Sequence, residues 1–270
     1  MSTAQFLAGL ILAVSLACLL VDTALFWKRS AGRPPPPWRV TPFDFVLFVW
    51  LVLVAAVVGG LIADVIGRQL NWSEDSQHAL LLVTTQGSWL VVAMAFFLYF
   101  KGQVQATDSW EPPISLVRGV GFGVFFLFAA LPLVFVVQMG WAWLLEYIYP
   151  QAQSTQEVVE LLHETDSAVA LGFLIFGAIV LAPVAEELIF RHGLFRYFLR
   201  FGSPNAAAWA SGLLFGLIHW YFVAIVPLAV LGYLFARAYH KTGRLIVPMV
   251  MHGLFNALTV LWRWLPMDAE

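Results

Sequence analysis

Apolar residues are gathered into eight long runs, most of which are separated by polar connectors. The runs cover residues 5–27, 43–67, 79–100, 119–145, 168–190, 205–221, 223–239 and 245–264. Each is close to the ~20 residues that an α-helix needs to cross the hydrocarbon core of a bilayer. Helices satisfy their backbone hydrogen bonds internally, as lipid requires. The pattern therefore predicts an all-α fold, a polytopic membrane bundle of about eight transmembrane helices.

The connectors indicate no separate soluble domain. Residues 32–39 read GRPPPPWR, which predicts a stiff proline-rich loop. Residues 202–204 read Gly-Ser-Pro and predict a tight turn between the fifth and sixth helices. We therefore expect one integral membrane domain, in which residues 1–150 hold the first four helices and residues 168–264 form the core that carries the polar motifs.

Composition supports a membrane protein. The chain is 61% hydrophobic and 11% charged, whereas a soluble domain is about 25% charged. The net charge of −2 and the absence of a basic block give no indication of a nucleic-acid partner. Cys18 is the only cysteine, which excludes an internal disulfide and a cysteine metal cage. The expected partners are the lipid bilayer and a membrane-associated peptide or protein.

Basic residues are concentrated on alternate connectors. The connectors at 28–42, 101–118, 191–204 and 237–244 contain 12 of the 14 lysines and arginines. Because basic residues collect in cytoplasmic loops, this side of the bundle is predicted to be cytoplasmic. With eight spans, both termini are then predicted to be extracytoplasmic.

Six polar side chains lie within or at the ends of the last spans, where ionisable groups are costly and usually functional. They are Glu186, Glu187, Arg191, His219, His252 and Asn256. The segment 168–184 before the two glutamates carries no charge. Residues four apart share a helix face, so the spacing predicts a Glu187–Arg191 pair and places His252 and Asn256 together.

Two of these side chains are equally far from the predicted turn at 202–204. Glu186 precedes it and His219 follows it by about 16–17 residues, or roughly 25 Å along each helix. An antiparallel hairpin would bring them to similar depth. Glu186 and His219 could then activate one water molecule, and His252 with Asn256 could stabilise an oxyanion. A single intramembrane histidine is more often a packing partner, but six such groups together favour a catalytic site.

Three short motifs carry a family resemblance. The segments EELIFR at 186–191, FGLIH at 215–219 and HGLFN at 252–256 resemble EExxxR, FxxxH and HxxxN. In this order they resemble the CPBP intramembrane proteases, which include type II CAAX prenyl endopeptidases and bacterial Abi proteins. The resemblance covers about 168–258. It implies that Glu186 and His219 activate water, that Glu187 and Arg191 support them, and that His252 and Asn256 hold the oxyanion.

The resemblance also implies a location and leaves the chemistry open. It suggests a multi-pass protein of a bacterial-type plasma membrane, with its active site toward the cytoplasm. The chain departs from the family by having His192 after the motif arginine, where glycine is frequent, with Gly193 following. Either no cofactor is required or one divalent metal, zinc, is bound by Glu186, His219 and His252, since one carboxylate and two imidazoles suit zinc.

Two other functions remain alternatives. Ser211, followed by Gly212, could be the nucleophile of a rhomboid-like serine protease, although Trp209 stands where GxSG would have glycine. The chain could also be a non-catalytic membrane scaffold or bacteriocin-immunity protein. The presence of Glu186, His219 and His252 together favours the protease.

Overall fold

The computed structural model describes residues 3–21, 32–101, 114–149, 165 and 167–264. The described part of the chain is helical and contains no strand. Its main helices are α1 (Thr3–Val21), α2 (Pro42–Gln69), α3 (Glu74–Lys101), α4 (Leu116–Ile148), α5 (Ala168–Phe198), α6 (Pro204–Ile218), α7 (Ile225–Thr242) and α8 (Ile246–Trp264). The predicted all-α membrane bundle is confirmed.

Five of these helices are long and apolar enough to cross a membrane. They are α2, α3, α4, α5 and α7, whereas the apolar helices α1, α6 and α8 are shorter in the residues described. Helix α2 has a stripe of exposed apolar side chains with helical spacing, as expected of a surface that faces lipid; the stripe comprises Phe43, Val46, Trp50, Leu53 and Val57. Eight membrane crossings remain a prediction.

Helix α5 is longer than the sequence pattern predicts. The apolar pattern predicts a span that ends near residue 190, whereas the helix continues to Phe198. Arg191 therefore lies inside the helix. The predicted turn lies directly after α5. There Ser203 is the N-cap of α6: its hydroxyl accepts a hydrogen bond from the N–H of Ala206, and Pro204 is the first residue of the helix.

The chain divides into two compact units. The glutamate unit comprises Pro36–Glu111 and Thr155–Arg200, and therefore α2, α3 and α5. The histidine unit comprises Met1–Pro35, Pro112–Ser154 and Phe201–Glu270, and therefore α1, α4, α6, α7 and α8. Each unit combines helices from both halves of the sequence.

The glutamate unit is held by close helix contacts and an aromatic cluster. A Cβ on Gly59 of α2 would lie 2.6 Å from the Cα of Thr85, so α2 and α3 meet backbone to backbone. Trp38 precedes α2 and is buried with its ring centroid 5.3 Å from that of Phe48. The N–H of Trp38 donates to the carbonyl of Arg196 at 2.9 Å. The proline-rich segment is thereby fixed to the end of α5.

In the histidine unit, two glycines of α6 lie against the backbone of α7. A Cβ on Gly212 would lie 2.6 Å from the carbonyl oxygen of Ala229, and one on Gly216 would lie 2.5 Å from that of Ile225. These contacts allow α6 and α7 to approach closely, as small residues do between membrane helices. Helix α7 ends at Gly243, whose φ of 67° is a left-handed conformation that suits glycine.

Candidate active site

The two glutamates lie in a short α-helical segment between two π-helical segments of α5. Ala182–Glu187 is α-helical, whereas Gly177–Leu181 and Leu188–Phe195 are π-helical. Pro183, in the first turn of the central segment, has no N–H to donate to the preceding turn. π-helical segments are frequent at functional sites, and here they flank the two acidic side chains.

Glu187 and Arg191 form a fully buried ion pair. The Nη1 atom of Arg191 lies 3.0 Å from Oε1 of Glu187, and both side chains are 0% exposed. This contact confirms the pair predicted from the four-residue spacing. Since each charge would be costly if it were buried alone, the two residues stabilise one another.

Glu186 is bonded to a glutamine on another helix. Nε2 of Gln86, on α3, donates to Oε1 of Glu186 at 3.1 Å. Glu186 is 5% exposed and Gln86 is 8% exposed. Gln86 belongs to none of the three motifs, although its place in the predicted span LLLVTTQGSWLVV is a signal that the sequence carries. An amide within a membrane span is expected to bond across helices.

His192, which follows the motif arginine, packs against an aromatic side chain and an arginine of the same unit. Its ring is half-buried, with its centroid 4.5 Å from that of Phe97, and its Nε2 lies 3.0 Å from Nη1 of Arg196. The glycine that the family has one position earlier is Gly193 here. A Cβ on Gly193 would lie 2.9 Å from the Phe48 ring, so Gly193 accommodates that aromatic side chain.

His219 caps the C-terminus of α6 in the histidine unit, one residue beyond the helix. Its Nδ1 lies 2.7 Å from the carbonyl oxygen of Phe215. A carbonyl oxygen can only accept, so Nδ1 of His219 is the donor in this contact. The next residue, Trp220, has φ of 49°, which stops the helix at this point.

His252 lies against the same aromatic residue as His219. The ring centroid of Phe215 is 4.8 Å from that of His219 and 5.5 Å from that of His252. His252 is 4% exposed and stacks on Phe235 at 5.2 Å. Asn256 is half-buried one turn further along α8. The structure therefore gathers both predicted histidines around Phe215.

Ser211 is poorly placed to use His219. Its side chain is fully buried, and it precedes His219 by eight residues on α6. That separation corresponds to about 12 Å along the helix axis. A nucleophilic serine must be within hydrogen-bond reach of its base. This spacing disfavours a Ser211–His219 pair.

The site residues form two groups, each within its own unit. Glu186, Glu187 and Arg191 belong to one, and the three remaining residues belong to the other. Within either unit, no three His, Cys, Asp or Glu side chains among the described residues are placed to hold a metal ion. The meeting of Glu186 with His219 in one cavity stays a prediction of the sequence.

Comparison with known proteins supports the motif assignment. Residues 168–258 match the model of the family described as type II CAAX prenyl endopeptidase Rce1-like. This match confirms the resemblance and places all three motifs within it. No solved structure matches the chain.

Two curated bacterial proteins are similar over a larger part of the chain. A putative membrane peptidase, YdiL of Bacillus subtilis, is 23% identical over 68% of this chain and 75% of its own length. The membrane-embedded CAAX protease MroQ of Staphylococcus aureus is 29% identical over 51% of this chain and 57% of its own length. The chain is therefore an integral membrane protein with relatives named as membrane peptidases.

Proposed function

From the Rce1-like match over residues 168–258, we propose that the protein is an intramembrane endopeptidase. It would hydrolyse peptide bonds of membrane-associated substrates in a CAAX-processing-like reaction. The observation that carries the proposal is the pair of adjacent buried glutamates, each held by a different partner. Buried carboxylates in a membrane helix are costly, and a catalytic role accounts for their presence.

The proposed reaction needs one general base and one site for developing negative charge. Glu186 and His219 take a proton from water, whose oxygen attacks the carbonyl carbon of the scissile bond. His252 and Asn256 donate hydrogen bonds to the resulting oxyanion. The proton then passes to the leaving amine as the C–N bond breaks. These steps require Glu186 and His219 to reach one water molecule, and their similar distances from the turn support this requirement.

The observed contacts suit these roles. The Phe215 carbonyl orients His219 so that its neutral ring can accept a proton at Nε2. The ion pair with Arg191 engages Glu187, which makes Glu186 the better candidate for the base. In this proposal Glu187 and Arg191 therefore support the catalytic helix and do not touch the substrate.

The same side chains could instead bind a divalent metal. Glu186, His219 and His252 offer one carboxylate and two imidazoles, and the hydrogen bond from Nδ1 of His219 to a carbonyl also suits a metal ligand. A bound zinc ion would supply Lewis-acid activation of water. Dialysis of the purified protein against EDTA distinguishes the two arrangements. Loss of cleavage that zinc restores indicates the metal, and retained cleavage indicates Glu186 as the base.

Comparative proteomics of membrane fractions tests the proposal. Cells that express the wild-type chain should contain cleaved membrane-associated peptides that disappear with Glu186→Ala at equal expression. If the wild type and Glu186→Ala give identical sets of peptides, the chain does not act as a Glu186-dependent protease, and a non-catalytic scaffold becomes the better hypothesis for its function. The peptides found will show whether the substrate carries a prenyl group and is processed toward the cytoplasmic side.

A further inference from the structure

Gln86 contacts the proposed catalytic carboxylate from outside the region that matches the family. It lies on α3, whereas the match begins at residue 168. Its Nε2–H donates to Oε1 of Glu186 across 3.1 Å, and both side chains are more than nine-tenths buried. One turn earlier on α3, Leu82 packs so tightly on Gly177 of α5 that a Cβ there would lie 2.8 Å from Cδ2 of Leu82. This close approach fixes the distance between Gln86 and Glu186.

The two adjacent glutamates are held by chemically different donors. Glu187 has a guanidinium as its ion-pair partner, whereas Gln86 offers Glu186 a neutral amide. An amide donor fixes one carboxylate oxygen in space without placing another positive charge beside it. This is suitable for a carboxylate that must accept a proton during a reaction.

Packing alone does not favour a glutamine at this position. In the part of the chain that the structure describes, Oε1 of Gln86 is buried and has no hydrogen-bond partner. A buried acceptor without a donor is destabilising, and a leucine or methionine would fill the same space without that cost. The polar side chain is therefore better explained by its contact with Glu186.

We propose that Gln86 is a positioning residue that orients the Glu186 carboxylate for proton transfer. This inference rests on the proposed protease function. It assigns α3, in the first half of the chain, a direct part in the active site. It also distinguishes the two glutamates, because Gln86 hydrogen-bonds to the proposed base whereas the ion-pair contact of Arg191 is with Glu187.

The test compares three single variants in proteoliposomes. Gln86→Met removes the donor at similar volume, and Gln86→His retains an N–H at the position of Nε2. Gln77→Met is the matched control, because Gln77 lies on the same helix and its Nε2 donates at 2.8 Å to the carbonyl of Trp72 instead. The substrate is a synthetic peptide spanning a bond whose cleavage membrane proteomics shows to depend on Glu186.

We expect Gln86→Met to lower kcat roughly 10- to 100-fold, the value of one hydrogen bond to a charged group, with KM within about twofold. Gln86→His should recover a substantial part of that loss, and Gln77→Met should match the wild type. Thermal unfolding should show that all three variants are folded.

The outcomes separate the inference from the function on which it rests. If no cleavage depends on Glu186, the proposed function fails. If cleavage depends on Glu186 but Gln86→Met retains wild-type kcat, the positioning role is wrong. A raised KM with unchanged kcat, an equal loss in Gln77→Met, or failure of both Gln86 variants to fold would show that Gln86 acts in binding or packing only, and each overturns the inference.

Discussion

Arg191 and Glu187 form an ion pair at 3.0 Å from which solvent is completely excluded. They lie four residues apart on α5, directly after the proposed base. Removing one partner of such a pair leaves the other charge buried without compensation, which costs about 3–5 kcal/mol. Replacing both with apolar or neutral groups is much less costly. Single and double replacements of the pair should therefore differ in stability, and turnover can be measured separately.

Arg191→Ala should lower both thermal stability and turnover, because it leaves Glu187 buried beside a cavity. The double variant Glu187→Gln with Arg191→Met should recover most of the stability, since neither charge remains. Thermal unfolding in detergent, measured alongside turnover, checks both statements. An Arg191→Ala protein that unfolds and cleaves like the wild type would show that the pair is not needed for either.

Asn256→Ala should lower activity while the fold persists. Asn256 is half-buried on α8, and we assign it only an oxyanion donor. Loss of one such donor reduces kcat by about 10²–10³-fold, or roughly 3 kcal/mol. The measurements are the turnover and the unfolding temperature of Asn256→Ala, and only the turnover should fall. A strong loss of stability would instead assign Asn256 to helix packing.

Glu186→Gln should reduce hydrolysis by several orders of magnitude, because it keeps the shape of the side chain and removes the base. Ser211→Ala is the comparison, and it should retain most of the activity because the eight-residue separation of Ser211 and His219 disfavours a nucleophile–base pair. Single-turnover cleavage of one substrate peptide by both variants distinguishes Glu186 as the base from Ser211 as a nucleophile. The reverse result, with Ser211→Ala inactive and Glu186→Gln active, would support a rhomboid-like serine protease.

Gly216→Ala should destabilise the histidine unit and impair cleavage. The new methyl group would lie 2.5 Å from the Ile225 carbonyl oxygen, so α6 must move away from α7 and carry His219 with it. Overpacking of this kind costs about 1–3 kcal/mol. Gly172→Ala is the control, because no heavy atom lies within 4 Å of the new Cβ. It should leave thermal stability unchanged or slightly higher; equal losses in the two variants would contradict the packing argument.

The bundle should orient with the α5–α6 turn in the cytoplasm. In a Cys18→Ala background, a membrane-impermeant maleimide should label Glu74→Cys in intact cells but reach Gly202→Cys only after permeabilisation. The reason is that 12 of the 14 basic residues fall in the sequence segments 28–42, 101–118, 191–204 and 237–244, which the sequence pattern assigns to the Gly202 side. Labelling of Gly202→Cys in intact cells would invert the topology and the predicted direction of the active site.

Local interactions explain which expectations succeeded. The Glu187–Arg191 pair depends on spacing within one helix, which a sequence displays directly. The end of α5 was predicted too early because charged residues after 190 resemble a loop. Burial of Arg191 against Glu187 compensates its charge and allows the helix to continue to Phe198.

The sequence by itself determined the class of the protein and its candidate chemistry. Runs of apolar residues long enough for a bilayer require helices, and the three motifs identify the polar residues of 186–256 within them. The hydrogen bond between Gln86 and Glu186, the imidazole contacts around Phe215 and the π-helical segments of α5 were decided by tertiary structure. Residue 86 is 100 positions from its partner. Nothing in local spacing can specify that contact, because it depends on how closely α3 and α5 pack.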